Sequence, residues 1–244
     1  MRFSVTYNLE HLDLAYRMKI YSLIKEAVSL ADKEYYEKTF GHQDNRMKNF
    51  TFSVYLHNCT LQDSVFSLDR MTINISSPDM EFFVHAFNGV RKIKEYKAGG
   101  ATWVQSNLQL LSESSIKHRK VIFKTLSPLL IEDQNGKPLS PDNSDYESQL
   151  NYYADLQVKQ FAKRGLQEPL RFTPLRLSKL VVKEGNRHLR NDDILYFTTY
   201  KGTFQLEGHP EDLQLLYQLG LGRRSTYFGM LDIVKEVRVD ADRD

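Results

Sequence analysis

RKVIFKTLSPLLI, residues 119–131, is rich in β-branched and apolar residues and reads as a strand. It decides the fold because it restarts an order already completed once upstream. After it, Ser144-Asp-Tyr-Glu147 has the form of a capping box and predicts a helix to about Lys163. RFTPLRLSKLVVK (171–183) and DILYFTTYKGTFQLEG (193–208) follow as strands, the latter a single strand or a hairpin. His209-Pro210-Glu211 starts a last helix through Leu219, and FGMLDIVKEVRV (228–239) is the final strand.

Working back toward the N-terminus, RFSVTY (2–7) alternates Phe3, Val5 and Tyr7 as a strand does, and Leu14 to Leu30 carries apolar residues at helical spacing. FTFSVYL (50–56) and SVFSLDRMTINIS (64–76) are strand-like. Ser77-Pro78-Asp79 offers an N-cap and a proline at the first helical position, opening a helix to about Val90, and TWVQSNLQLL (102–111) is a closing strand. Both halves therefore run β-α-β-β-α-β. The expected fold class is α+β, two tandem ferredoxin-like domains of the kind shared by RNA-recognition modules, over residues 1–117 and 118–244.

Composition narrows the function classes. Of 244 residues, 41% are apolar and 26% charged, the balance of a chain with a packed core. Cys59, the single cysteine, excludes an internal disulfide and a cysteine-rich zinc site, and is expected to be a small buried residue. The N-terminal stretch has no uninterrupted apolar core, so neither a signal peptide nor a membrane span is expected, and the expected location is the cytoplasm. Net charge is only +2, but Lys159 to Lys201 holds ten basic residues against four acidic ones. On strands such a run is either a solvated face or a stripe that tracks phosphates.

GLGRRSTYFG, residues 220–229, is the most distinctive segment. It follows a helix and precedes a strand, whereas dinucleotide and Walker-type phosphate loops follow a strand and open a helix, so those readings fail on context. Gly220 suits a helix C-terminus, Gly222 and Gly229 allow close backbone approach, and Arg223, Arg224 and Ser225 offer donors suited to phosphate oxygens. Spacing alone leaves open a helix cap, a tight turn and two surface arginines. The histidines lack the short paired spacing of a zinc site, and no metal or other cofactor is expected. Trp103 is expected to pack in the core, with base stacking as the alternative.

LGLGRRSTYFGMLDI (219–233), with TLSPLLI (125–131) and the tandem order, resembles the CRISPR-associated endoribonucleases that cut precursor CRISPR RNA within its repeats. The sequence departs from that pattern at 228–229, where Phe-Gly follows Tyr227 instead of a glycine. The resemblance implies repeat RNA as partner, with a CRISPR effector complex or a homodimer as further partners. It implies an RNA-binding role for Gly220, Gly222, Arg223, Arg224, Ser225 and Gly229.

In that family a catalytic histidine sits in the loop after the first helix, with a lysine shortly before the next strand. His42 and Lys48 fit these positions. Where relatives carry a tyrosine on the first helix this chain has Lys25, which leaves Tyr21, Tyr35 and Tyr36 as neighbouring candidates. The implied chemistry is metal-independent attack by a 2′-hydroxyl, leaving 2′,3′-cyclic phosphate and 5′-hydroxyl ends. Histidine, with an ordinary pKa of ~6.5, can move the proton near neutrality, and lysine can stabilise the charge gathering on phosphorus. Two other classes stay open: a repeat-RNA-binding subunit without activity, and a ferredoxin-like enzyme or regulator of small molecules, which predicts no affinity for hairpin RNA.

Overall fold

The structure is a computed structural model that describes residues 1–41, 47–185 and 194–237. Its contacts divide the chain into two units. The first comprises Met1–Lys48, Phe52–Ser112 and Val182–Phe197, and the second Asn49–Thr51, Glu113–Val181 and Thr198 onward.

In the first unit β1 (Arg2–Asn8) is followed by β2 (His11–Asp13), α1 (Arg17–Ala31) and α2 (Lys33–Phe40). Next come β3 (Thr51–His57), β4 (Thr60–Gln62), β5 (Val65–Ser67), β6 (Arg70–Ser76), α3 (Met80–Lys92), β7 (Glu95–Ala98) and β8 (Ala101–Leu111). The main sheet runs β3-β6-β1-β8-β7, and β2-β5-β4 form a small separate sheet. With β7 set aside, the strands lie in the order second-third-first-fourth. Phe3, Val5 and Tyr7 of β1 are buried beside Met71, Ile73 and Ile75 of β6. Period-two alternation sends these side chains to one face. Ile20, Leu23, Ala27 and Val28 of α1 and Phe82, Phe83, Ala86 and Val90 of α3 are buried as well. The two helices touch closely at Gly89, where a Cβ would fall 1.8 Å from the Ala27 carbonyl oxygen. Arg17 Nη1 donates to Glu184 Oε1 at 2.9 Å, a buried ion pair.

The second unit repeats the plan with β9 (Lys120–Thr125), α4 (Tyr146–Ala162), β10 (Arg171–Gly185), β11 (Ile194–Glu207), α5 (Pro210–Leu219) and β12 (Leu231–Val237), although the residues of β10 from Val182 on and of β11 up to Phe197 count with the first unit. Its sheet runs β10-β11-β9-β12, the same second-third-first-fourth order. Val121, Phe123, Phe204 and Leu206 meet Leu150, Ala154, Leu213 and Leu216 in one buried cluster. Two tandem ferredoxin-like folds are the result, as the repeated strand and helix order predicts.

Local details differ from the sequence expectations. The cap of α3 is Asp79, whose Oδ1 accepts from the amides of Glu81 and Phe82, both at 3.1 Å. Ser77 instead accepts from the Asp79 amide at 3.0 Å and builds the turn before the helix. The Ser144–Glu147 capping box does not form, because Glu147 Oε2 accepts from the Phe172 amide at 2.7 Å and Asp145 precedes α4 without a side-chain cap. The stretch 64–76 breaks into β5 and β6, and the strand starting near Arg119 ends at Thr125. β11 is one unbroken strand. Cys59 is exposed. No described helix is long and apolar enough to cross a membrane.

Candidate functional site

Two clusters hold most of the described residues singled out from sequence. The first surrounds the end of α2. Asp32 caps this short helix by accepting from the Tyr35 amide at 2.8 Å, and Gly41 ends it with a hydrogen bond to the Glu37 carbonyl. Its last residue, Phe40, is buried, with Tyr21 edge-on at 6.0 Å and Tyr36 at 5.6 Å between ring centroids. Lys25 Nζ lies 5.8 Å from the Phe40 ring and 5.6 Å from the Tyr36 ring. Lys48 Nζ lies 5.5 Å from the Phe40 ring and donates to the Thr39 carbonyl at 2.6 Å.

Helical geometry accounts for this gathering. Tyr21 and Lys25 are one turn apart on α1 and so share a face. Lys48 reaches the carbonyl end of α2, where a cation suits the helix dipole. Aromatic faces hold both ammonium groups in place. Lys25 and Lys48, 23 residues apart in sequence, thus meet around one ring. Tyr35 goes elsewhere: it is 7% exposed, stacks on His85 at 4.7 Å, and places its hydroxyl 3.5 Å from Asp79 Oδ2. Burial, then the neighbouring Asp79 carboxylate, pushes its phenol well above the usual range. His42, two residues beyond Phe40 in sequence, lies outside the described residues.

The second cluster is the glycine-rich segment. Gly220, Gly222 and Gly229 all have positive φ, at 82°, 101° and 71°. The requirement is sharpest at Gly229, where a Cβ would fall 1.8 Å from the Leu221 carbonyl oxygen. That approach lets the Leu221 amide donate to the Gly229 carbonyl at 2.9 Å and closes the loop. The loop is moulded on residues 126–130. Leu126 and Ser127 amides both donate to the Met230 carbonyl, at 2.7 and 3.2 Å, and Ser127 Oγ accepts from the Met230 amide at 2.8 Å. Gly229 donates to the Pro128 carbonyl and Arg223 to the Leu130 carbonyl, each at 2.8 Å. Gln157 of α4 holds the Gly220 carbonyl at 3.1 Å, and Thr51 Oγ1 donates to the Ser225 carbonyl at 2.6 Å.

This framework separates the polar candidates. Ser225 is 3% exposed. Arg223 pairs with Glu132, a buried carboxylate. Burial pushes the Glu132 carboxyl up, and the Arg223 and Arg224 guanidinium groups pull it back. Direct contact with a guanidinium favours the ionised form, so the pair holds the loop to the segment beneath it. Arg224, with φ of 55°, is exposed. No signal in the sequence marked Glu132 or Phe40: Glu132 is defined by Arg223, far along the chain, and Phe40 by side chains gathered from its own helix, from α1 and from Lys48.

Of the basic run, Arg171, Arg176, Lys179 and Lys201 are exposed. Lys159 pairs with Asp155 at 2.6 Å and Arg164 with the buried Asp212 at 2.5 Å. Arg187 and Arg190 lie outside the described residues. Trp103 is fully buried against Tyr7 and Tyr96. Among the described residues, no three His, Cys, Asp or Glu side chains gather as a metal-ligand group.

Comparison with known proteins agrees with this architecture. The family model of the C-terminal part of CRISPR associated protein Cas6 matches residues 111–233. A solved structure described as an RAMP protein binding different RNA substrates is similar at a TM-score of 0.80 and 18% identity, covering 96% of this chain and 100% of that one. The product of a Cas6-related gene from Pyrococcus furiosus is similar at 0.78 and 18% identity, covering 97% and 100%. A structure described as CRISPR associated protein Cas6 follows at 0.73 and 20% identity, covering 96% and 99%. No curated protein matches the chain by sequence. The family match spans both the glycine-rich loop and the 126–130 segment that shapes it, and the chain belongs to the Cas6 family, whose work is CRISPR RNA processing or repeat-RNA binding.

Proposed function

We propose that this protein is a metal-independent endoribonuclease that binds CRISPR repeat RNA and cleaves precursor transcripts within each repeat. The observation that carries the reading is the gathering of Lys25 and Lys48 around Phe40, two residues before His42 in the sequence. Two held cations, one of them six residues from a histidine in the sequence, supply the charge stabilisation and the proton-transfer group that cyclising RNA cleavage requires. In this reading residues 1–117 carry the catalytic loop and residues 118–244 the glycine-rich loop that binds RNA.

His42 is the general base or general acid. As base it takes the proton of the 2′-hydroxyl, whose oxygen then bonds to phosphorus. The bond from phosphorus to the 5′-oxygen breaks, and the 5′-oxygen takes up a proton. The ends left are a 2′,3′-cyclic phosphate and a 5′-hydroxyl. Lys48, with Lys25, stabilises the negative charge on the phosphorane; losing a well-placed donor of this kind commonly costs ~10²–10³ in rate.

Gel analysis of repeat-RNA cleavage in EDTA tests the reading. His42→Ala is expected to abolish cutting while RNA binding persists, and Lys48→Ala to slow single-turnover cleavage by about 10²-fold. Undiminished cleavage by His42→Ala overturns the assignment. The similarity to an RNA-binding RAMP protein favours one alternative, a repeat-RNA-binding subunit without activity, alone, as a homodimer or in a CRISPR effector complex. Wild-type protein that retards repeat RNA on a gel and leaves it intact supports that alternative.

A further inference from the structure

The sheet of the first unit has two faces, and the one opposite α1 and α3 carries a row of polar side chains around an exposed aromatic ring. Odd-numbered residues of β3 lie on this face, since Phe52 points into the core. Tyr55 is 62% exposed. His57, two residues on, meets it edge-to-face at 4.6 Å with planes 89° apart. The imidazole is itself fixed, because His57 Nε2 lies 2.9 Å from Thr72 Oγ1, which lies 3.0 Å from Thr6 Oγ1. On the other side of Tyr55, Asn74 Nδ2 donates to Ser53 Oγ at 3.2 Å. The polar groups flanking the tyrosine thus satisfy one another, and one aromatic ring remains presented to solvent. Arg70, exposed and two residues before Thr72 on β6, adds a cation to the same face.

We infer that Tyr55, braced by His57, is a stacking platform for an unpaired RNA base, distinct from the Phe40 cluster and from the glycine-rich loop. Folds built on this plan read single-stranded RNA through aromatic side chains on the open sheet face, and a tyrosine held in one orientation loses little freedom when a base stacks on it. The flanking polar side chains are hydrogen-bonded to one another rather than turned to a base edge, so the platform is tolerant of sequence, and the larger stacking area of a purine favours purines over pyrimidines. Arg70 is placed to meet the adjoining phosphate. This inference rests on the RNA-binding reading and adds a subsite to it.

The test uses the full chain and two fluorescein-labelled probes, a ten-nucleotide adenosine RNA and an abasic strand of the same length. Tyr55→Ala is expected to weaken binding of the adenosine strand by about tenfold, while Tyr55→Phe and Tyr55→Trp bind as wild type does. Affinity for the abasic strand is expected not to depend on residue 55. Being exposed, the position tolerates all three substitutions, and thermal unfolding confirms that each variant is folded. If wild type and Tyr55→Ala bind the adenosine strand equally, or if alanine weakens both probes alike, the platform is overturned. Repeat RNA bound by wild type in the same titration keeps the broader reading intact in that event; failure to bind repeat RNA at all overturns the reading itself.

Discussion

Replacing Gly229 with alanine probes the tightest point of the glycine-rich loop. Its φ of 71° is left-handed, which costs a residue with a Cβ ~1–2 kcal/mol. In addition, the new methyl would lie 1.8 Å from the Leu221 carbonyl oxygen, a backbone atom that can move only by opening the loop. Opening it gives up two hydrogen bonds, Leu221 amide to Gly229 carbonyl and Gly229 amide to Pro128 carbonyl, worth about 1 kcal/mol each. The sum is ~3 kcal/mol or slightly more. Gly136, in the same unit, is the control: its φ is 78°, and the nearest atom to a new Cβ is the flexible end of Arg223 at 3.4 Å. Gly136→Ala should therefore cost only the left-handed contribution of ~1–2 kcal/mol. At about 2–4 °C per kcal/mol, Gly229→Ala is expected to lower the melting temperature by ~6–12 °C and Gly136→Ala by about half as much or less. Far-UV circular dichroism is the appropriate probe, because the single tryptophan, Trp103, belongs to the first unit. Equal shifts for the two variants would refute the view that Gly229 is required for the close approach to Leu221.

Arg223 and Arg224, adjacent in sequence, should fail differently. Arg224→Ala is expected to lower the melting temperature less than Arg223→Ala does and to reduce the slope of log affinity for repeat RNA against log salt by ~0.7, one phosphate contact. Arg223→Ala strands the buried Glu132 carboxylate and should lower the melting temperature by several degrees, while the salt slope measured on the folded protein changes little. Asp155 supplies a pH test. The hydrogen bond from Lys159, with that from the Leu166 amide, holds its carboxyl below the ordinary value of 3.8. A depressed carboxyl contributes stability that is complete above its unfolded pKa and is lost as pH falls through its folded one. The melting-temperature gap between wild type and Asp155→Asn is therefore expected to be full at pH 6 and to close below about pH 4. A gap that persists unchanged at pH 2 would show that Asp155 acts through packing.

The tandem order was legible because it depends on short-range periodicity. Phe3, Val5 and Tyr7 alternate, and the apolar residues of α1 recur at helical spacing, so neither needed a distant partner to be recognised. α2 was not legible. Lys33–Phe40 is two turns long and buries only Tyr35 and Phe40, too few positions for a period to stand out. Capping failed where competition decided it: Glu147 had a strand amide within reach, and Asp79 reached two free amides where Ser77 reached one. Cys59 was expected inside from its chemistry and sits outside, a placement that follows from the short β3–β4 connection it occupies. Lys25 and Lys48 could be named from a resemblance, but Phe40, the ring that brings them together, carried no mark of its own.

The segments 125–131 and 219–233 illustrate why two distant stretches can form one signature. Their contacts run almost wholly through the backbone: the amides of residues 126, 127, 223 and 229 and the carbonyls of residues 128, 130 and 230 join them. Such bonds place few demands on side chains, except where a Cβ cannot fit, as at Gly222 and Gly229, or where a hydroxyl replaces a backbone acceptor, as at Ser127. Those are the positions that make the segments recognisable. The remaining polar residues then divide by burial. Ser225 and Thr226 are enclosed and Arg223 is committed to Glu132, so the framework presents Arg224 on the outside of the loop. A loop whose shape is set by glycines and whose first arginine, Arg223, is committed to its own anchoring exposes the second, Arg224; in the proposed reading that suits holding a phosphate and leaves proton transfer to another part of the chain.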